Sequence, residues 1–204
     1  MTTSARIVAL SVLSVAQLGA AGWSIARYES TLRSGAVYRM RIEPVDPADA
    51  FHGRYVAVRP SIAFLTPDTS EAAERLRRIQ QGEHGYALLG SDADGFASIA
   101  DVVLTAPSQG DYLDVAHVWE RWRPVAQGSD TSRREGYNVN FSFDRYYMNE
   151  SAAPLAERRY FEASRRNSGS KAWLSVRVKD GLGVIEGLYI DGVAIEDAIA
   201  SSPK

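Results

Sequence analysis

The residues best suited to chemistry gather in one short segment. Asp46, Asp49 and His52 stand three residues apart, with Arg54 close behind. Two carboxylates and an imidazole are ligands a divalent cation accepts through oxygen and nitrogen. An envelope hydrolase or metal-dependent enzyme built on Asp46, Asp49 and His52 is therefore one function to weigh. Pro44 and Pro47 stiffen the same stretch. Three-residue steps in a proline-containing loop fix no ligand geometry. A structural reading accounts for the same residues: Gly53 permits a turn, and Tyr55 starts a strand with its ring on one face. His84 lies between Gly82 and Gly85, a turn pattern, and His117 lies in a strand pattern. No G-x-S-x-G elbow is present, and Lys171, Lys179 and Lys204 all come late for serine–lysine chemistry. The chain has no cysteine, which excludes thiol catalysis, zinc fingers and a disulfide scaffold. No residue is assigned a catalytic role, and neither a cofactor nor a resident metal is expected.

Something must position that segment. The chain has 204 residues, 45% hydrophobic and 24% charged, with a formal net charge of −2. A chain this long can bury a core without staples. Its balance excludes a disordered chain, and nucleic acid is not an expected partner because a basic excess is missing.

The first positioning element is apolar. Residues 7–26, IVALSVLSVAQLGAAGWSIA, carry no formal charge and are bounded by Arg6 and Arg27. As a helix they reach about 30 Å, the thickness of a hydrocarbon core. Trp23 suits the aromatic belt at an interface. Residues 1–27 are therefore read as a transmembrane anchor, with a cleaved signal peptide as the competing reading. Small residues at Gly19-Ala20-Ala21 approximate a cleavage site, but the apolar run continues through Ile25. Arg27, Arg33, Arg39 and Arg41 after the span would, by count alone, hold the following domain in the cytoplasm. Long domains translocate regardless of charge, and the lack of cysteine suits an extracytoplasmic site. The expected location is the inner (cytoplasmic) membrane, single-pass, with the soluble domain periplasmic or extracellular.

Residues 28–204 read as one β-rich domain. YNVNFSF at 137–143 and AWLSVRVK at 172–179 alternate apolar and polar residues, the period of a half-buried strand. Asp180-Gly181 and Asp191-Gly192 supply hairpin turns around a returning strand at 184–190. Further strands are predicted at 36–42, 55–58, 86–89, 96–104 and 113–119. A helix capped by Thr69 or Ser70 is expected to run to Gln81, with Glu71–Arg75 and Glu74–Arg78 pairs. Pro154 opens a second helix, to about 166. Among the aromatic residues from Trp119 to Tyr147, alternation favours a core role, with Trp122, Tyr146 and Tyr147 the candidates for an exposed partner surface. The predicted fold is α+β and β-rich: a single N-terminal transmembrane helix, then one mostly antiparallel β domain with two short helices.

These features in order resemble the family of bacterial proteins named for a GDYxxLxY motif, which carry one N-terminal membrane span. The resemblance begins at Gln17, Gly22-Trp23, Glu29, Leu32 and Gly35. It continues through Glu43-Pro44-Val45-Asp46-Pro47 to Phe51-His52-Gly53-Arg54-Tyr55-Val56, and reaches the closing hairpin at 176–190. The name-giving motif is degraded to Gly53-Arg54-Tyr55: Arg54 replaces the aspartate, Val58 the leucine and Pro60 the final tyrosine. A literal Gly110-Asp111-Tyr112 occurs later, without the proline-rich lead-in. The family resemblance implies no assigned reaction. It implies an accessory protein, associated with a multi-pass membrane protein.

The function expected is a membrane-anchored, non-enzymatic accessory or binding subunit whose partner is a multi-pass integral membrane protein. Asp46, Asp49, His52, Gly53, Arg54 and Tyr55 would serve as the binding or structural motif. Gln17, Gly19 and Gly22 would supply anchor contacts, since small and polar residues let spans approach and hydrogen-bond. The lipid bilayer is the second partner, through residues 7–26.

Overall fold

The computed structural model describes residues 3–43, 55–127, 130–149, 152–164 and 171–200. Helix α1 (Thr3–Ser34) opens the chain, and after Gly35 alone strand β1 (Ala36–Glu43) begins. The chain returns as β2 (Tyr55–Ala57) and the short β3 (Arg59–Pro60), passes a single 3-10 turn, Ser61–Ala63, and enters β4 (Phe64–Leu65). Helix α2 (Ser70–Gln80) leads to the hairpin of β5 (Gly85–Ser91) and β6 (Ala97–Val103). Strand β7 (Tyr112–Val115) returns beside β5, and the long arm of β8 (His117–Gln127) and β9 (Asp130–Asn140) follows. Next come β10 (Arg145–Tyr147), α3 (Ala153–Ser164), β11 (Ala172–Lys179), β12 (Leu182–Ile190), β13 (Val193–Ala194) and α4 (Ile195–Ala200).

The central sheet has five strands in the order β13-β12-β11-β1-β3, and among the described residues the strands pair antiparallel, with one isolated parallel bridge between Leu113 and Gly181. The β-rich α+β architecture read from the sequence is therefore the observed one. Two-residue turns set the register of β11 with β12 and of β12 with β13, as Lys179 pairs Leu182 and Ile190 pairs Val193. Asp180 and Asp191 adopt φ of 48° and 52°, followed by Gly181 and Gly192 at 79° and 84°. Consecutive positive φ values are what a type I′ hairpin requires, and Asp-Gly tolerates them.

Alternation along β11 puts Leu174, Val176 and Val178 into the core, where Met40, Leu188 and Ile195 are also fully enclosed. Val56, Val118, Tyr137 and Val139 extend the same cluster towards the smaller sheets. Helix α2 is capped as expected, with the Ala72 amide donating to Thr69 Oγ1 at 3.1 Å, and it buries Leu76 and Ile79. Glu71 pairs Arg75, but Glu74 pairs Arg77 rather than Arg78. Arg78 turns instead to Glu83, meeting both carboxylate oxygens at 2.7 Å. A two-pronged guanidinium–carboxylate contact outcompetes a single i,i+4 pair.

Two strand boundaries and the number of helices differ from the sequence reading. The strand expected at 113–119 breaks at Ala116, whose amide donates to Asn140 O as the chain passes from one sheet to another. The strand expected at 137–143 ends at Asn140, although Phe141 and Phe143 remain buried. A third helix of the domain, α4, adds to the two expected; it is six residues long and buries Ile195.

Candidate functional site

Asp46, Asp49, His52, Gly53 and Arg54 lie outside the described residues. What the structure describes is the frame on either side of them. β1 ends at Glu43, just before the segment, and β2 begins at Tyr55, just after it, while Ile42 pairs Pro60 and Glu43 pairs Arg59. β3 is an edge strand of the central sheet, a position where proline is tolerated. Tyr55, the described end of the motif, pairs Tyr147 in the β2–β10 ladder. Its ring meets Tyr147 edge-on at 5.8 Å, and the Arg145 guanidinium lies 5.0 Å from its centroid. Val56 faces the opposite way and is fully buried. The strand therefore has one core face and one aromatic, cationic outer face. Of the aromatic residues considered for a partner surface, Tyr147 is 67% exposed and Tyr146 is half-buried; the Trp122 side chain lies outside the description.

A cleft of about 240 Å³ adjoins this strand, walled by Val58, Pro60, Trp119, Asn138, Phe141 and Phe143. The Val58 amide donates to Asp144 O at 2.9 Å and holds one rim. The walls are mixed: Trp119, Phe141 and Phe143 are aromatic, and Arg59, Asn138, Asn140 and Asp144 are polar or charged. His117 stacks on Trp119 at 5.7 Å, on the exposed side of β8. His84 sits in its turn against Tyr86, with Nε2 4.0 Å from Asp114. Among the described residues, no group of three His, Cys, Asp or Glu side chains could hold a metal ion.

Sequence reasoning missed Asp111. It belongs to the literal Gly-Asp-Tyr at 110–112, and its carboxylate accepts the Tyr38 hydroxyl proton at 2.8 Å across the fold. Burial, then that hydrogen bond and the carboxylate's charge, push the Tyr38 hydroxyl up to about 12. The Leu89 amide donates to Asp111 O, so the residue joins β7's entry to β5 and β1 at once. Tyr146 is a second such case: it donates to Glu196 in α4, and burial raises its hydroxyl above the ordinary tyrosine value. Both are long-range contacts, and nothing in the local sequence signals either.

The anchor is described in full from Thr3. Residues 6–34 form a helix long and apolar enough to cross a membrane once, and none of its apolar window is buried by the rest of the chain. Gln17, Gly19 and Gly22 are all exposed, and a Cβ added at either glycine would meet nothing within 4 Å. They do not share a face. At about 100° per residue, Gln17 lies about 200° from Gly19. Gln17 groups with Ser14 and Ser24, whereas Gly19 and Gly22 group with Ser11 and Ala26.

The last turns of α1 are fastened to the domain. Lys179 donates to Ser30 Oγ and Ser34 Oγ, both at 2.8 Å, and Arg27 Nη2 donates to Asp180 O at 3.2 Å. Arg177 donates to Gly35 O at 3.3 Å and to Glu186 at 2.8 Å. Thr31 is buried by this contact. The anchor and the central sheet are thus coupled through one hairpin, β11–β12.

No curated protein and no solved structure is found similar to the chain. The sequence profile of the GDYXXLXY protein matches residues 17–188, from within the anchor to the closing hairpin. That match covers the fastened half of the helix, the frame of the motif and most of the central sheet, and by it the chain belongs to the GDYXXLXY protein family.

Proposed function

We propose that the protein is a single-pass subunit of the inner membrane that carries its β-rich domain on the periplasmic side and serves a multi-pass membrane protein as a non-enzymatic accessory. The observation that carries this reading is the anchor itself. A helix with an apolar window wholly unburied by its own chain is nevertheless tied at its last two turns to the central sheet. A passive tether needs no such fastening; a subunit that must present its domain at a set height and angle over a partner does. The Gln17 side and the Gly19/Gly22 side offer two distinct contact chemistries. One is a hydrogen-bonding amide, the other a surface where backbones approach closely.

Purification of the full-length protein from its own host in mild detergent tests the partnership. A multi-pass protein is expected to co-elute in constant ratio, and Gln17→Leu is expected to reduce its recovery several-fold. Unchanged recovery in Gln17→Leu would remove the amide side from the interface. Orientation is tested separately, because a cysteine-free chain allows single-cysteine labelling. Val193→Cys, at a 48% exposed position, should react in intact spheroplasts with a maleimide that cannot cross membranes. Reaction only after lysis would place the domain in the cytoplasm.

A further inference from the structure

Where α1 leaves the apolar stretch, the chain builds a cleft of about 400 Å³, lined by Trp23, Ala26, Arg27, Ser30, Lys179 and Asp180 among others. The position follows from length. Residues 7–26 account for about 30 Å of helix, so Arg27 stands at the hydrocarbon boundary, and the turns to Ser34 rise about 10 Å further. The β11–β12 turn reaches back along those turns, with Asp180 O on Arg27. The cleft therefore opens where phospholipid headgroups lie, provided the anchoring reading above holds. Trp23 is 73% exposed, and an indole at this depth belongs to the interfacial belt.

The charges in the cleft come in both signs. Lys179 carries three donors and uses two on Ser30 and Ser34, which leaves one for an incoming acceptor. Arg27 adds a forked donor next to it. Asp180 lines the cleft as well, and just outside the lining stands Asp114, whose Oδ2 lies 3.9 Å from Arg27. A headgroup with phosphate alone would bring a second negative charge to a cleft whose lining and edge already carry Asp180 and Asp114. A quaternary ammonium would bring no N–H to Asp180. A phosphate joined by a short arm to a primary ammonium meets both needs, with the phosphate on Lys179 and Arg27 and the ammonium on Asp180.

The geometry points to a binding site for a phospholipid of the phosphatidylethanolamine class, held under the β11–β12 turn against the anchor. This would make a specific lipid part of the joint between helix and domain.

The test uses full-length protein, delipidated in detergent and offered an equimolar mixture of phosphatidylethanolamine, phosphatidylcholine and phosphatidylglycerol with matched chains. Native mass spectrometry reads the lipid retained. Phosphatidylethanolamine should be retained about tenfold over the others. Asp180→Asn, which tolerates the turn's positive φ, should equalise the ethanolamine and choline lipids while leaving the melting temperature unchanged. Lys179→Gln should lower retention of all three. Equal retention by the unaltered protein would overturn the inference, as would preference for the glycerol lipid. Binding of free phosphoethanolamine at the same concentration as the lipid would assign the cleft to a soluble compound and overturn it too. Carbonate extraction of native membranes separates the two readings. A chain released by carbonate overturns the anchoring and this site with it; a chain retained but without lipid preference overturns this site alone.

Discussion

Tyr38 and Asp111 show how a single polar contact can join distant parts of a β-rich fold. The hydroxyl donates to the carboxylate at 2.8 Å, and burial raises it to about 12. A tyrosine held above its unfolded value of about 10 favours the folded state while it stays protonated. That contribution is complete below about pH 10 and is lost as pH rises through 12. Tyr146 and Tyr112 are shifted in the same direction, each by burial first, so they add to the same alkaline loss. The melting temperature of the full-length protein should therefore hold level to about pH 10 and then fall. Tyr38→Phe should make that fall shallower without abolishing it. An unchanged slope in Tyr38→Phe would show that the Tyr38–Asp111 contact does not form in solution. Asp111 could not be picked out from the sequence, because its partner lies 73 residues away and many exposed aspartates look alike locally.

At the scale of elements, the junction between α1 and β1 is the feature on which the rest depends. Gly35 is the whole connection, and its amide donates to Thr31 O at 2.8 Å. A Cβ there would stand 2.6 Å from Thr31 O and 3.0 Å from Val178 O, both backbone atoms with no room to yield. Gly35→Ala should destabilise the protein by about 2 kcal/mol, in the range of overpacking in an interior. The melting temperature should drop by about 6 °C. An unaltered melting temperature would mean that the end of the helix does not pack on β11. The elements themselves were legible to different degrees, for physical reasons. The strands β11 and β12, their Asp-Gly turn and the capped helix α2 carry local signals: period-two alternation, a positive-φ dipeptide and a threonine cap. The long β8–β9 arm carries none over HVWERWRPVAQ, where apolar residues keep no steady period. Strand β10 is three residues long and exists only because β2 lies beside it. Helix α4 had a usable signal in Glu196 and Asp197 at its first turn, but six residues are too few for a periodic stripe.

Taken whole, the molecule places an unburied apolar helix under a fastened β domain, with β1 ending just before the segment at 44–54 and β2 beginning just after it. The membrane span was legible from composition alone. The spacing of the residues proposed for anchor contacts already sets Gln17 and Gly19 on opposite sides of a helix, and the structure adds that the apolar window of this helix is unburied by its own chain. That division gives the proposed partnership a directional signature. A photo-crosslinking amino acid placed in turn at Ser14, Gln17, Gly19, Gly22 and Trp23, in cells expressing the full-length protein, reads it directly. A strong crosslink to one multi-pass protein is expected from the Gln17 side or the Gly19/Gly22 side, and little from Trp23, which lines the cleft under the domain. Crosslinks to lipid alone from every position would contradict the proposed partnership.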